Sequence, residues 1–444
     1  MIAGTQSGAG KTSFTLGIQV ALRRRGLRVQ GFKVGPDYID PSYHLAGTGR
    51  PAYNLDAFFH GRSLALRLMA QGLADADIGV VEGVMGLFDG KEPGRSLHAS
   101  SAEMARWTRT PVLLCVDAGG LSNSVAAVVR GFTGFARGVE IQGVLLNRVG
   151  SQAHYHILQE TLQSYGLPPA VGYLRKDAAI ERPERHLGLV PAAELEDMQG
   201  YLDRLAGAVA EAVDLDAVLR LAQGAPPLPP GKPPLSARRP LNVTVAYAYD
   251  AAFHFYYAAG LRTLEALGAR LVPFSPLRDS ALPQGTQALV LGGGFPELYA
   301  AQLSANESLA AVIRAFAGPI YAECGGMMYL ARSLTDAQGN RVPMLGLVPA
   351  DVEMAERLQS FGYAEGRTLV PSILGPAGTR LRGHEFHWSR LSAGEPSALE
   401  LSRHGRATKR EGFVAGNLFA SYFHIDFAAH PAAARAFLQA AVRS

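Results

Sequence analysis

The sequence predicts an α/β protein built from two doubly wound α/β domains. Short segments rich in Val, Ile and Leu recur along the chain, each followed by Gly, Asp or Asn, and helical patterns separate them. This alternation is typical of buried parallel strands. Residues 224–240 contain seven prolines in seventeen positions, so they can form neither a helix nor a central strand. We therefore expect a first domain over 1–223, a proline-rich linker over 224–240 and a second domain over 241–444.

The individual elements follow from the same patterns. In the first domain a glycine loop and a helix follow Gly4, and strands are predicted at 28–34, 78–82, 112–116 and 141–147. In the second domain a helix is predicted at 253–267, and strands at 241–246, 287–291 and 320–323. Residues 1–3 leave little room for a first strand, so we expect the native N-terminus to be slightly longer. In sheets of this kind the chemistry lies at the carboxyl ends of the strands.

Composition and charge exclude several classes of protein. The chain has 444 residues, of which 48% are hydrophobic and 18% charged, and it has two cysteines. A disulfide framework is therefore excluded, and a reducing compartment, the cytoplasm, is expected. No apolar run reaches the roughly 18–20 residues that a membrane span needs, and the start of the chain lacks the pattern of a signal peptide. The net charge of +4 comes with only short arginine clusters, which argues against nucleic acid but suits a small anionic substrate.

The segment "GTQSGAGKTS" at 4–13 predicts a loop that binds ATP. A Gly-rich turn that leads into a helix offers backbone N–H groups and the helix dipole to phosphates. On this interpretation Lys11 reaches the β- and γ-phosphates and Thr12 is a ligand of Mg²⁺. The loop is one residue longer than the strict phosphate-loop pattern, because Gly4 stands one position before the usual first glycine. The residues expected to bind ATP are Gly8, Gly10, Lys11, Thr12, Ser13 and Lys33.

Acidic residues at two further strand ends are expected around this loop. The segments "FKVGPDYIDPSYH" at 32–44 and "VVEGVMGLFDG" at 80–90 each place carboxylates after a predicted strand. Carboxylates at neighbouring strand ends are natural ligands of Mg²⁺, and Lys33 is suited to stabilising a transferring phosphoryl group. We expect Glu82, at the end of its strand, to join Thr12 at the metal. The residues expected to contact the substrate are Asp37, Tyr38, Asp40, His44 and Asp89.

The segment "PIYAECGGMMYL" at 319–330 places Cys324 where a strand meets a helix. A thiol at such an elbow points away from the sheet, and the helix N-terminus favours its thiolate. The segment "SYFHIDF" at 421–427 supplies His424 as a base, and Asp426, two residues later on the same strand face, is the expected orienting acid. The backbone N–H groups expected to form an oxyanion hole belong to Gly293, Gly294 and Gly325.

Several longer motifs resemble known families. The stretched loop "GTQSGAGKT" is similar to that of dethiobiotin synthetase and its relatives, which use ATP to activate a carboxylate. The strings "KVGPDYIDPSYH", "VEGVMGLFDG" and "ERPERHLGLV" resemble the cobyrinic acid a,c-diamide synthase family, and the second domain resembles class I glutamine amidotransferases. The resemblance covers nearly the whole chain. Two departures stand out, because Ala322 replaces the first glycine of the G-x-C-x-G elbow and His424-Ile425-Asp426 replaces the usual His-x-Glu.

The resemblance implies an ATP-dependent, glutamine-hydrolysing ligase. Cys324 would attack the side-chain amide of glutamine and release ammonia, with His424 acting as base and then as acid. In the first domain MgATP would phosphorylate a carboxylate, and ammonia, arriving by a protected path, would displace the phosphate to give an amide. The implied substrate is a polycarboxylate corrinoid of cobalamin biosynthesis, cobyrinic or hydrogenobyrinic acid, which is amidated on its a and c arms.

Two kinds of alternative stay open. A relative of this family amidates another macrocycle, nickel-sirohydrochlorin, and another is cobyric acid synthase, although "KVGPDYIDPSYH" argues against the latter. From a different class, a P-loop partitioning or switch ATPase carries a second lysine early in its loop, where this chain has Gly4-Thr5-Gln6. The sequence is compatible with a homodimer but does not decide the oligomeric state.

Three further residues receive structural interpretations. His384 and His387 in "GHEFHWS" are spaced like metal ligands, but no cysteine or further histidine nearby completes a zinc set. They are interpreted as structural or domain-interface residues, with a role at the substrate as the alternative. Cys115, inside the apolar strand "PVLLCVD", is expected in the core.

Overall fold

The structure is a computed structural model that describes every residue except 93, 95, 182, 183, 186, 187, 190, 229–239, 393, 404–407 and 444. The chain divides into two compact units, Met1–Pro233 and Pro234–Ser444. Most of the predicted linker at 224–240 and part of the motif at 181–190 lie outside the described residues, so the boundaries of the linker stay a prediction. In the described part of the chain, no helix has the length and apolar character needed to cross a membrane.

The first unit contains a parallel sheet whose strands alternate with helices. Its strands are β1 (Ile2–Gly4), β2 (Val29–Val34), β3 (Tyr53–Leu55), β4 (Ile78–Gly86), β5 (Val112–Asp117), β6 (Ile141–Val149), β7 (Ala170–Arg175), β8 (Glu184–Arg185) and β9 (Gly188–Leu189). Its helices are α1 (Lys11–Arg24), α2 (Ile39–Thr48), α3 (Ala57–Leu73), α4 (Ser101–Thr108), α5 (Ser124–Phe135), α6 (Gln152–Ser164), α7 (Met198–Ala212) and α8 (Leu215–Gln223). Strands β1 to β7 form one sheet, in the order β3-β2-β4-β1-β5-β6-β7, and β8 and β9 pair separately with each other.

Helix α1 packs into the core of the first unit along one face. Phe14, Ile18 and Leu22 are fully buried, at the spacing of four residues that places side chains on one side of a helix. On the side that meets α7, the backbones approach so closely that a Cβ on Gly17 would lie 2.4 Å from Val209 Cγ2. The helix that follows the phosphate loop is therefore fixed from two sides.

The second unit combines a sheet of the same kind with several antiparallel strands. Its strands are β10 (Val243–Ala248), β11 (Phe253–Phe255), β12 (Ala269–Phe274), β13 (Ala288–Leu291), β14 (Gly293–Gly294), β15 (Ile320–Glu323), β16 (Ser333–Thr335), β17 (Arg341–Pro343), β18 (Asp351–Met354), β19 (Ser360–Thr368), β20 (Arg380–His387), β21 (Ser389–Ser392), β22 (Leu399–Ser402), β23 (Lys409–Glu411), β24 (Phe413–Ala415), β25 (Leu418–Ser421) and β26 (His424–Ile425). Its helices are α9 (Ala258–Ala266), α10 (Ala300–Ala305), α11 (Glu307–Arg314), α12 (Gly325–Leu330) and α13 (Pro431–Arg443).

The main sheet of the second unit has the order β12-β10-β13-β15-β25-β24. All its pairings are parallel except that of β24 with β25. A five-stranded sheet of order β23-β22-β19-β20-β26 lies in the same unit, together with a four-stranded sheet of order β17-β16-β18-β21. Strand β20 pairs antiparallel with β26, which sets His384 opposite His424.

The predicted fold class is confirmed, but some details differ. The helix predicted at 253–267 begins only at Ala258, because Phe253–Phe255 pairs as a strand with Gly293–Gly294. The prediction that Glu82 ends its strand is wrong, since β4 continues to Gly86. The antiparallel sheets were not predicted, because their short strands carry mixed burial patterns that local periodicity does not reveal.

The contact between α1 and α7 gives a stability prediction. Gly17→Ala should lower the free energy of unfolding by about 1–2 kcal/mol, because overpacking costs about 1–3 kcal/mol and the gain in helix propensity offsets at most about 1 kcal/mol. Gly207→Ala on α7 is the matched control, since its Cβ would meet nothing within 4 Å; it should raise stability slightly. Thermal unfolding of the whole chain measures both variants. Equal midpoints for the two would contradict the packing.

Candidate active sites

The phosphate loop lies between β1 and α1. Gly8 and Gly10 have φ angles of 74° and 103°, which favour glycine. At Gly10 space is a second reason, because a Cβ there would lie 2.3 Å from Asn147 Nδ2 at the end of β6. Among the described residues no side chain caps α1, so the N–H groups of its first turn, including those of Thr12 and Ser13, are available to an anion.

Two buried side chains support this loop. Lys11 donates a hydrogen bond from Nζ to the carbonyl oxygen of Gln6 at 3.0 Å. Burial lowers the pKa of Lys11, and the neighbouring charge of Lys33 lowers it further. Cys115 is fully buried, as predicted, and its thiol donates to the carbonyl oxygen of Ala9 at 2.9 Å. The thiol is thus a structural contact of the loop, and burial raises its pKa.

Glu82 is the centre of a buried polar cluster next to the loop. Its Oε1 accepts hydrogen bonds from Thr12 Oγ1 at 2.6 Å and from Lys33 Nζ at 3.0 Å. Its Oε2 accepts one from His44 Nε2 at 2.7 Å. Lys33 also forms an ion pair of 2.6 Å with Asp40. The structure therefore brings together five residues that the sequence predicted for ATP, metal or substrate.

Charge balance keeps Glu82 and Lys33 ionised. Burial raises the pKa of Glu82, as does the charge of Asp40, but Lys33 and His44 outweigh both and hold the pKa below its usual value. Burial lowers the pKa of Lys33, but Asp40 and Glu82 outweigh it and hold the pKa above its usual value. Thr12 and Glu82 together present oxygen atoms of the kind that Mg²⁺ prefers, so the residues present fit the expected metal.

The residues predicted to contact the substrate separate into two groups. Asp40 and His44 are 3% and 0% exposed, because their spacing of four residues places both on the inner face of α2, against Lys33 and Glu82. In this structure both side chains support the cluster, through contacts with Lys33 and Glu82, and their contact with a substrate stays a prediction. Asp37 and Tyr38 are partly exposed at the start of α2, and Asp89 is exposed.

Hydrogen bonds already engage the two outer acids. Asp37 Oδ1 accepts the N–H groups of Ile39 and Asp40 at 2.8 and 3.0 Å, while burial and the charge of Asp40 raise its pKa to about 6. Asp89 Oδ2 accepts the N–H of Gly86 at 2.8 Å. Asp37 thus holds the start of α2 and Asp89 the end of β4, and their contact with a substrate stays a prediction.

Cys324 lies at a sharp elbow between β15 and α12. Its backbone has φ 46° and ψ −104°, a sparsely populated conformation for a residue with a side chain. The N–H of Cys324 donates to the carbonyl oxygen of Ser421 at 2.7 Å. Two residues on, a Cβ at Gly326 would lie 2.1 Å from the carbonyl oxygen of Leu291. The elbow is therefore held by close backbone contacts.

The three glycines predicted for the oxyanion hole lie beside this elbow. A Cβ on Gly325 would lie 3.1 Å from the backbone nitrogen of Gly294, and one on Gly293 would lie 2.9 Å from His424 Cε1. The glycine loop is fixed from behind, because Phe253–Phe255 pairs with it. These contacts gather the glycines, the thiol and the imidazole in one place, and their role as an oxyanion hole stays a prediction.

An acid that the sequence analysis did not select lies beside His424 Nδ1. Glu323 Oε2 lies 3.4 Å from His424 Nδ1, and Glu323 directly precedes the nucleophile on β15. Asp426 was predicted for this place on the assumption that the strand continues past His424. The strand ends at Ile425, and Asp426 Oδ1 accepts the N–H of Ala428 at 2.8 Å. The geometry thus points to Glu323 as a candidate for the orienting acid, and the catalytic role of Asp426 stays a prediction.

The electrostatics of His424 fit a partner of Cys324. Burial lowers the pKa of His424, but hydrogen bonding to Cys324 and Glu323, together with their charges, raises it to about 10. His384 stacks on His424 with ring centroids 4.9 Å apart. Burial and the charge of His424 hold the pKa of His384 well below its usual value. A charged and a neutral imidazole therefore lie side by side.

Glu411 and His387 support the segment that leads to His424. Glu411 is buried and accepts hydrogen bonds from Ser421 Oγ and, at 2.8 Å, from the N–H of Tyr422. Burial raises its pKa to about 7, and the charge of Glu385 adds to this. His387 stacks on Tyr422 with centroids 3.9 Å apart. The role of Glu411 was not predicted, because only the fold brings β23 beside this turn.

Comparisons with known proteins agree with both sites. Residues 1–190 match the CobQ/CobB/MinD/ParA nucleotide binding domain, and residues 244–432 match the CobB/CobQ-like glutamine amidotransferase domain. The cobyrinate a,c-diamide synthase of Syntrophotalea carbinolica is 45% identical over 99% of this chain and 97% of its own. The protein belongs to the cobyrinate a,c-diamide synthase family.

Two further comparisons concern a second curated relative and a solved structure. The hydrogenobyrinate a,c-diamide synthase of Streptomyces coelicolor is 43% identical over 99% of this chain and 96% of its own. The septum site-determining protein MinD of Pyrococcus horikoshii, complexed with Mg-ADP, is 16% identical over 50% of this chain and 93% of its own. Its TM-score of 0.29 is too low to carry an argument. Like its family, the protein is an ATP-dependent, glutamine-hydrolysing ligase, and the switch ATPase hypothesis is set aside.

The contact between His424 and Glu323 gives a titration prediction. Glu323→Gln should lower the pKa of His424 from about 10, because it removes an anionic partner from a buried imidazole. Since the folded pKa lies above the usual histidine value of 6.5, the charged form stabilises the fold below pH 6.5, and this stability is lost as the pH rises through about 10. NMR titration of the His424 ring in the wild type and in the variant measures the change in pKa. An unchanged His424 titration would contradict the contact.

Proposed function

We propose that the protein uses ATP and glutamine to amidate the a and c carboxylates of cobyrinic or hydrogenobyrinic acid. The observation that carries the proposal is the similarity along 99% of the chain to two relatives named for these reactions. The two sites supply the chemistry that such a reaction needs. One offers a thiol next to an imidazole, and the other offers a phosphate loop next to a buried lysine and a carboxylate.

In the second unit, Cys324 releases ammonia from glutamine. Its thiolate, stabilised by the charged His424, attacks the side-chain amide carbon, and the oxyanion that forms is placed near the backbone N–H groups of Gly294 and Gly325. His424 then gives its proton to the leaving nitrogen as the thioester forms. Water, deprotonated by His424, attacks the thioester, and glutamate leaves as the thiol is regenerated. Glu323 holds the ring of His424 through Nδ1.

In the first unit, the loop and the cluster activate a carboxylate. The N–H groups at the start of α1, with Lys11 and Lys33, bind the phosphates of ATP and stabilise the charge of the transferring phosphoryl group. Thr12 and Glu82 would hold Mg²⁺, which supplies positive charge that neutralises the phosphates. A carboxylate oxygen of the substrate attacks the γ-phosphorus and ADP leaves. Ammonia then attacks the acyl phosphate, phosphate leaves, and the amide remains after loss of a proton.

The first test separates the release of ammonia, assigned to the second unit, from the amidation assigned to the first. Cys324→Ala should lower glutamine-driven amidation at least about 10³-fold, because no other group takes the place of the thiolate. The same variant should keep amidation driven by added ammonium chloride at alkaline pH. Mass spectrometry of the corrinoid product measures both rates. Loss of both would contradict the proposal.

The identity of the macrocycle is tested with three substrates. The wild-type protein is incubated with glutamine, MgATP and either cobyrinic acid, metal-free hydrogenobyrinic acid or nickel-sirohydrochlorin. We expect a double amidation of one of the first two, seen as two successive losses of one mass unit from the carboxylic acid. Turnover of nickel-sirohydrochlorin alone would favour the alternative within the family. An absence of product from all three would overturn the assignment.

The cluster in the first unit gives a further prediction. Glu82→Gln should reduce both glutamine-driven and ammonia-driven amidation at least about 10²-fold, because it removes the charge that faces Thr12 and Lys33. It should also weaken the binding of Mn²⁺, used in place of Mg²⁺ and followed by electron paramagnetic resonance in the presence of ADP. Release of glutamate from glutamine alone should be unchanged. The exposed Glu196→Gln is the control, and equal Mn²⁺ affinity in the two variants would count against a metal at Glu82.

A further inference from the structure

The carboxylate of Glu323 is held by two donors at one of its oxygens. The hydroxyl of Tyr321 donates to Oε1, and the N–H of Ile425 donates to the same atom at 3.0 Å. The other oxygen, Oε2, is the one that lies 3.4 Å from His424 Nδ1. Any rotation of the carboxylate that moves Oε2 away from His424 also moves Oε1 away from its two donors. Such a rotation is unfavourable, because it breaks hydrogen bonds to a charged group.

The position of Tyr321 is fixed by the strand and the core. Tyr321 and Glu323 are two residues apart on β15, so their side chains lie on the same face of the sheet. The ring of Tyr321 is 2% exposed, and its centroid lies 5.1 Å from that of Phe427 and 5.9 Å from that of Phe419. The hydroxyl is therefore presented to Glu323 by a side chain that has little freedom to move.

The hydroxyl of Tyr321 keeps its proton over the working range of pH. Burial raises the pKa of Tyr321 well above its usual value, and the charge of Glu323 adds to this. A phenol that stays protonated next to a carboxylate serves as a permanent donor. A small cavity of about 30 Å³ adjoins the same carboxylate, lined by Tyr256, Tyr257 and Phe427 among others. This space suits a single water molecule.

We propose that Tyr321 is a positioning residue for glutamine hydrolysis, whose hydroxyl sets the orientation in which Glu323 meets His424. The proposal rests on the role proposed for Glu323 and extends it by one residue along the strand. Tyr321 touches neither glutamine nor the thiol. It acts through Glu323, which acts through the ring of His424, so that a chain of polar contacts leads from the core of the sheet to the histidine that serves the nucleophile.

The test compares two tyrosines that differ in this contact. Tyr321→Phe removes the hydroxyl and keeps the ring. Tyr329→Phe makes the same change at a fully buried position of α12, where the hydroxyl has no hydrogen-bond partner among the described residues. Release of glutamate by the whole chain is measured as kcat and KM. We expect Tyr321→Phe to lower kcat about ten-fold with KM nearly unchanged, since a water in the cavity replaces the hydroxyl only in part. Tyr329→Phe should match the wild type.

A double variant separates positioning from a general effect on the fold. Glu323→Gln alone is expected to lower kcat by more than Tyr321→Phe does. If Tyr321 acts through Glu323, then adding Tyr321→Phe to Glu323→Gln should lower kcat no further, because the effects of residues in one chain of contacts are not additive. Additive losses, or a kcat of Tyr321→Phe equal to that of Tyr329→Phe, would overturn the proposal.

The same set of variants distinguishes failure of this proposal from failure of the function. If Glu323→Gln keeps the wild-type kcat, the assignment of Glu323 as the orienting acid falls and the proposal falls with it. If glutamate release is absent in the wild-type protein, the proposed function fails. Additive losses with an active wild type and an impaired Glu323→Gln overturn only the role of Tyr321.

Discussion

The backbone conformation of Cys324 is the constraint on which the second unit depends. A residue with a side chain at φ 46° and ψ −104° costs of order 1–3 kcal/mol and persists only when its surroundings hold it. Here the N–H of Cys324 bonds to Ser421 and its carbonyl oxygen accepts the N–H of Met328 at 3.0 Å. Gly326, two residues after Cys324, lies so close to the carbonyl oxygen of Leu291 that a Cβ would not fit, so only glycine is possible there. The two glycines after the nucleophile are thus a steric consequence of the turn that exposes the sulfur.

In the first unit, the structure around the phosphate loop depends on a single buried carboxylate. Glu82 has no exposed surface, and a buried charge is costly unless it is paired and hydrogen-bonded. Three donors from three elements meet it, namely Thr12 of α1, Lys33 of β2 and His44 of α2. The same contacts fix the start of α1 against the sheet. The residue that would serve the metal is therefore also the one that joins the loop, the sheet and α2.

Site residues that lie in short recognisable motifs could be predicted from the sequence, whereas contacts between distant segments could not. The phosphate loop, Cys324 and His424 each lie in a short stretch whose residue types and spacing indicate their chemistry. Glu323 lies in such a stretch too, but its role depends on the approach of β26, which nothing near it in the chain indicates. Asp40 and His44 were expected at the substrate because acids and histidines near a strand end resemble ligands. Their burial is decided by the packing of α2.

The orienting role proposed for Glu323 accounts for the departure of the chain from the usual His-x-Glu pattern. When the acid follows the histidine on the same strand, that strand alone fixes the pair. Here Glu323 is on the strand of the nucleophile, and its Oε1 accepts the N–H of Ile425, the residue next to His424. The carboxylate therefore holds both the ring and the backbone that carries it. Asp426, the second residue after the histidine, lies at the start of the turn that leads to α13, where its carboxylate accepts the N–H of Ala428.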